Sequence, residues 1–287
     1  MNLTLVEAGD TLATMVPPSA EFIGQQSITT LYRRQRRNRE QFYFDFNFGR
    51  ALFRIDPARG RVVGFIAADA LEWPHLMVNT YAFMTLMFAL RWCGVYHLHT
   101  AAVVSPQQRL TLICGAPRAG KTTLTAALGI AGWHPISDDG VMVRMNSHGQ
   151  IEVQAFKRDF HLAKALLQQW EALRQLSVHY YYHDRACVDG LTFFQTEKLA
   201  GQVFTQVRQI IFPQISGAKE SRLEPLPPSE AVRQLIGQSM FFPLEREHTQ
   251  AQSSLLTSLV KQASCYRLWA GDDIWSDPNR VRGLLPK

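Results

Sequence analysis

Leu110-Thr111-Leu112-Ile113-Cys114-Gly115-Ala116-Pro117-Arg118-Ala119-Gly120-Lys121-Thr122-Thr123-Leu124 decides how the rest of this chain is read. A short apolar run meets a loop bounded by two glycines and leaves it as a good helix-forming stretch through Leu128, so the order is strand, loop, helix. Residues 115 to 122 match the spacing GxxxxGK[ST] without a mismatch, a coincidence expected in only about 1% of chains this long. Each position has a physical task. Glycine lets the backbone turn tightly and bring its N–H groups against phosphate oxygens. Lys121 supplies a mobile positive charge for the β and γ phosphates, Thr122 offers a hydroxyl to magnesium, and the helix directs its positive end at the anion. The expected contacts for ATP are therefore Gly115, Ala116, Pro117, Arg118, Ala119, Gly120, Lys121, Thr122 and Thr123. Arg118 can serve the γ-phosphate or a second substrate, or remain a solvated loop arginine.

One helix and a short β segment downstream, after the turn Gly132-Trp133-His134-Pro135, stands Ser137-Asp138-Asp139-Gly140. Adjacent carboxylates at a strand end repel unless a cation or proton compensates, and a magnesium-phosphate site supplies the cation. One carboxylate can then hold metal while the other takes the proton of an attacking hydroxyl.

His99, the loop 115–122 and Ser137-Asp138-Asp139 together resemble the C-terminal catalytic domain of HPr kinase/phosphorylase and its relatives, with phosphoenolpyruvate carboxykinase as a more distant cousin. The likeness covers roughly residues 75 to 284. It extends weakly to Gln209–Phe212 with Pro213, to Leu226, to a helix over Glu230–Leu235, and to Tyr266-Arg267-Leu268. It implies an α/β P-loop kinase domain that uses ATP and Mg2+ to phosphorylate a hydroxyl. Carried over by position, Lys121 and Thr122 hold phosphate and magnesium, Asp138 and Asp139 are the base and the metal carboxylate, and His99 orients phosphate or carboxylate; the order expected is Asp138 as base and Asp139 on the metal side, with the reverse order left open. His97, two residues earlier, competes with His99. Two departures limit the transfer. The glycine-rich signature after the aspartates is missing, with Phe156-Lys157-Arg158 in the comparable region, and the N-terminal part shows no likeness to that of HPr kinases, which argues against HPr as substrate.

Around this centre the pattern is mixed α/β. Phe42, Phe44, Phe46 and Phe48 alternate with polar residues and predict a half-buried strand over Gln41–Phe48. Leu52–Ile55 and Arg61–Ile66 flank Asp56-Pro57-Ala58-Arg59-Gly60, two strands and a turn. Residues 1–73 thus form a small antiparallel β unit, and 74–287 the P-loop domain. Within the latter, Pro74–Leu90 predicts a helix, Val95–Val104 a β-rich run, and Val141–Val143 with Ile151–Val153 a hairpin. Helices are expected over His161–Leu176, Ser229–Met240 with Ser229 as N-cap, Thr249–Ser264 and Asp277–Leu284. Strands are expected over Gln206–Phe212 and Tyr266–Trp269. Tyr180-Tyr181-Tyr182-His183-Asp184-Arg185 reads either as part of a lid or as a packed connection.

The 287 residues carry 46% hydrophobic and 19% charged side chains, the composition of a globular protein rather than a disordered one. The apolar stretch Leu76–Trp92 is broken by Asn79, Thr80 and Arg91, too short to span a bilayer. No basic start followed by an apolar run marks a signal peptide, so the expected location is the cytoplasm. Cys93, Cys114, Cys187 and Cys265 are widely scattered and lack CxxC spacing, which fits neither a disulfide framework nor a zinc site. The net charge of +6 is concentrated in Arg33, Arg34, Arg36, Arg37 and Arg39, either a solvated loop or a site for an acidic partner. No nucleic-acid module accompanies the patch. The acceptor expected from it is a serine or threonine of a peptide or protein, with a small-molecule alcohol as the alternative and a homo-oligomer compatible with either. A nucleotide-hydrolysing switch is disfavoured, because there is no lone Walker-B aspartate after a hydrophobic run and no Asn-Lys-x-Asp.

Overall fold

Alternating large apolar residues build the N-terminal sheet, and the same periodicity decides what packs on it. The computed structural model describes residues 1–8, 12–26, 28–36, 39–47, 49–156, 159–240 and 244–286. It forms two units, Met1–Gly94 and Val95–Lys287. In the first, six strands lie in the order Asn2–Ala8, Arg61–Ala67, Ala51–Asp56, Arg39–Phe46, Thr29–Arg36, Glu21–Gln26. All neighbours are antiparallel except the first pair, which is parallel. Phe42, Phe44 and Phe46 are buried on one face as expected. Tyr43, on the other face, is buried too, in a small core with Leu12, Leu52 and Ala67, so this strand is covered on both sides rather than half-buried. Phe48 and Arg37 lie outside the described residues.

The helical run after Pro74 belongs to this first unit. It comprises a π-helical segment, Met77–Ala82, and an α-helix, Phe83–Leu90. Phe88 meets the rings of Phe42 and Phe44 with centroids 5.0 Å apart, and Tyr81 stacks on Phe46 at 4.6 Å. The divide therefore falls after Gly94, not near residues 71–74, because aromatic packing on the sheet claims the helix. The arginines differ from expectation as well: Arg33, Arg34 and Arg36 are on a strand and Arg39 opens its hairpin partner, instead of occupying a loop. Alternation puts Arg33 on the face opposite Arg34 and Arg36. Arg33 pairs with Glu21 at 2.9 Å and with Glu40 at 3.8 Å.

The second unit is mixed α/β. Its largest sheet runs in the order His134–Ser137, Thr100–Val104, Leu110–Cys114, Val207–Ile215, Ser264–Ala270, Arg222–Pro225. The three strands 110–114, 207–215 and 264–270 are parallel. Thr100–Val104 is antiparallel to both its neighbours, so His134–Ser137 points the same way as Leu110–Cys114. Helix Lys121–Ile130 connects those two. Leu110, Leu112 and Cys114 face one core and Ile113 the other, which is why this strand reads as a continuous apolar run.

Two smaller sheets complete the unit. One orders Val203–Phe204, Ile151–Ala155, Val141–Met145 and Val95–Leu98; the other orders Phe160–Ala163, Arg185–Val188 and Val178–Tyr182. The second corrects one expectation. Residues 161–176 are not one helix: a strand, Phe160–Ala163, precedes helix Lys164–Gln169 and a short 3-10 turn, because Phe160 and Leu162 alternate into the core while pairing with 185–188. The aromatic cluster at 180–185 spans a hairpin of the same sheet. Helix Pro228–Gly237 follows Pro227, so Ser229 lies within it rather than capping it. Helix Arg246–Gln262 and the final turn Pro278–Gly283, capped by Asp277, match the pattern of the sequence. Among the described residues no helix is long and apolar enough to cross a membrane.

Candidate active site

The topology of the large sheet assembles the site. Strands 110–114 and 134–137 end at the same edge, where the antiparallel strand Thr100–Val104 begins; Thr100 pairs with Cys114 and Ala102 with Ser137. The loop after Cys114, the aspartates after Ser137 and the histidine before Thr100 are therefore neighbours, although 40 residues separate His99 from Asp139. This is the carboxyl end of the parallel strands, the place where open α/β sheets carry ligands.

The loop is built for a close approach. A Cβ on Gly115 would stand 3.1 Å from the Cβ of Ala119, tighter than an ordinary contact, and 3.5 Å from the carbonyl oxygen of Pro213. Gly120, just before the helix, has φ +98°, a conformation that side chains resist. Arg118 also has a positive φ, +66°, with its residue exposed, a backbone cost on the order of 1 kcal/mol. Lys121 is only 8% exposed. Its Nζ donates to the Gly115 carbonyl at 2.7 Å and to that of Ala116 at 3.4 Å, so the ammonium is drawn back across the loop. Burial pulls this ammonium below the ordinary lysine range; Asp139 acts against the fall, Asp138 does so more weakly, and Arg185 adds to it. Cys114, beneath the loop, is pushed up to about 12 by burial and is neutral at physiological pH. Thr122 and Thr123 are partly exposed on the first helical turn.

The two aspartates leave a turn closed by one hydroxyl. Ser137 Oγ donates to the Gly140 carbonyl at 2.8 Å and accepts the Gly140 N–H at 3.2 Å. From this turn the carboxylates diverge. Asp138, 2% exposed, accepts the backbone N–H of His161 at 2.8 Å. Asp139 is partly open to solvent, and its Oδ1 lies 3.2 Å from His99 Nδ1. The His99 N–H is itself anchored on the Gln238 carbonyl at 2.8 Å. His97 is buried and packs against Gly140, whose added Cβ would come within 2.5 Å of His97 Nε2. His99 therefore contacts Asp139 directly, while His97 lies against the Gly140 end of the same turn.

Arg185 and the strand Phe160–Ala163 are the participants that sequence reasoning missed. Ala186 and Val188 enter the core, so alternation turns Arg185 and Cys187 to the opposite face of their strand. There the Arg185 Nη1 donates to the His161 carbonyl at 3.3 Å, on the residue whose N–H holds Asp138. Its only signal in the sequence was its place at the end of the polar and aromatic cluster 180–185. Lys157 and Arg158 lie outside the described residues.

These residues fit a magnesium-bound triphosphate: a glycine cradle that a Cβ would obstruct, a helix N-terminus, a sequestered lysine and a carboxylate pair share one end of one sheet. Thr122 and Asp139 would hold the metal, which when bound neutralises phosphate charge. Lys121, released from the Gly115 and Ala116 carbonyls, would contribute a cation to the phosphates, and Asp138 a proton acceptor. No family model matches the sequence, and nothing among curated proteins matches it.

Proposed function

We propose that this protein is a magnesium-dependent ATP kinase whose second unit is a P-loop domain of the HPr-kinase/phosphoenolpyruvate-carboxykinase type, with the N-terminal sheet as accessory. The observation that supports the reading best is the meeting of the glycine-bounded loop, Lys121 and the Asp138–Asp139 turn at one sheet edge. Asp139 takes the metal side, because it is the carboxylate partly open to solvent, beside His99, while Asp138 is buried. Asp138 takes the proton of the incoming hydroxyl; the His161 N–H keeps its side chain oriented. His99 orients Asp139, and Arg185 brings a second cation for the charge of the transferred phosphoryl group.

The acceptor we assign is a serine or threonine hydroxyl of an acidic polypeptide, because Arg34, Arg36 and Arg39 present a broad positive surface that a small alcohol would scarcely use. Incubation of the protein with γ-labelled ATP, with and without cell extract, tests the reading. Label moving to a protein band supports it. Label in a small metabolite would replace the acceptor, release of free phosphate alone would replace the kinase by a hydrolase, and no turnover would reduce the site to nucleotide binding.

A further inference from the structure

We propose that Asp159, His179 and Cys187 form a zinc site beside the catalytic centre, one that takes a single divalent ion of the zinc class and ties together the three-stranded sheet behind Asp138. One carboxylate oxygen, one imidazole nitrogen and the thiol sulfur lie within 4.8 Å of one another, and His179 Nδ1 is 3.8 Å from Asp159 Oδ1. With metal bonds of about 2.0–2.3 Å, three ligands of a tetrahedral ion stand slightly closer than this. Small side-chain rotations close the difference.

The backbone supplies an independent reason. In the pairing of Val178–Tyr182 with Arg185–Val188, Val178 is opposite Val188 and Tyr180 is opposite Cys187, so His179 is an extra residue in a β-bulge. Bulges re-aim side chains. Regular alternation would set Tyr180 on the Val178 side; the bulge instead brings residues 179 and 180 round to the face of Cys187. Asp159 immediately precedes the strand Phe160–Ala163, on which His161 pairs with Cys187. Each ligand thus comes from a different segment of the sheet, and one ion would link all three.

The donor set selects the ion. A thiolate and an imidazole favour zinc over magnesium, whose preference is oxygen. Tyr180, directly opposite Cys187 in the pairing, stands where a neighbouring side chain can orient a metal ligand. Three protein ligands leave the fourth position to water. On binding, Cys187 gives up its thiol proton to solvent and the sulfur electron pair goes to the metal, with no change of oxidation state. Because His161, paired with Cys187, also donates to Asp138, the ion would stiffen the element that orients the proposed base. The inference does not depend on the kinase reading.

The test uses the full chain, stripped with chelator and titrated with Co2+ in excess Mg2+. The expected result is one equivalent of cobalt bound, with tetrahedral visible bands and a sulfur-to-cobalt charge-transfer band, both erased by added Zn2+. Cys187→Ser should abolish the charge-transfer band. Should that variant fail to fold, the partly exposed His179→Gln serves instead, with cobalt affinity expected to drop at least tenfold. No charge-transfer band at saturating cobalt, or an unchanged titration in His179→Gln and Asp159→Asn, overturns the proposal.

Discussion

Nδ1 of His99 stands 3.2 Å from Oδ1 of Asp139. The adjacent carboxylate, Asp138, accepts the His161 N–H, and on the proposed kinase reading the two carboxylates take different roles. Asp138→Asn should retain ATP binding and lose phosphoryl transfer by about 100-fold or more, since an amide cannot take the proton of a hydroxyl. Asp139→Asn should chiefly raise the magnesium concentration needed for half-maximal turnover. His99→Ala should move that same magnesium dependence in the same direction, about tenfold, as a residue orienting a metal ligand does. A magnesium titration of all three variants checks this; the larger metal defect in Asp138→Asn would exchange the two roles.

Lys121 is sequestered at a cost to the fold. Burial holds its pKa below the ordinary value, so between the two values the unfolded chain binds that proton more readily than the folded one. The stability tied to this group is therefore present above roughly pH 10.4 and is lost as pH falls through the depressed folded value. Lys121→Met should accordingly be more stable than the parent at neutral pH, by about 1 kcal/mol, with the gain shrinking at alkaline pH. The same variant should lose ATP binding. Melting curves across pH and calorimetry with ATP decide both points: a variant less stable at every pH refutes the buried-charge argument, and unchanged ATP affinity and turnover refute the phosphate-loop assignment.

Gly140 has no room for a side chain, because its Cβ would sit 2.5 Å from Nε2 of the buried His97. Gly140→Ala should cost about 1–3 kcal/mol, the usual penalty of overpacking, and should displace the turn that carries Asp139. Truncating the obstacle should restore part of the loss, so chemical denaturation of Gly140→Ala, His97→Ala and the double variant forms a thermodynamic cycle. Additive losses in that cycle would show that the contact is not what excludes alanine.

The arginine surface offers a test of the acceptor. Arg33 is left in place because it pairs with Glu21, and Arg34, Arg36 and Arg39 are replaced by serine. Transfer to the acceptor polypeptide should slow several-fold at low salt and approach the parent rate at high salt, since salt screens such encounters. Equal rates across the salt series would remove the patch from substrate recognition, while ATP turnover without acceptor should be unchanged in either case.

Local spacing by itself determined the strand, loop and helix from Leu110 to Leu128, the strands around Asp56–Gly60, and the candidates Lys121, Thr122, Asp138 and Asp139, whereas His99 was a candidate only through the family resemblance. In each case a repeat of two or four residues, or a fixed interval in a motif, carries the signal along one stretch of chain. What only the tertiary structure decided is non-local. Phe88 packs on Phe42, so the helix after Pro74 joins the first unit. Phe160–Ala163 is too short for its period of two to stand out from the helix after it, and its pairing with 185–188 makes it a strand. That pairing also brings the His161 N–H to Asp138, and the bulge at His179 turns that side chain toward Cys187. Strand order sets these contacts, through hydrogen bonds and burial between segments distant in sequence, and neighbouring residues along the chain do not record which distant strand will lie beside them.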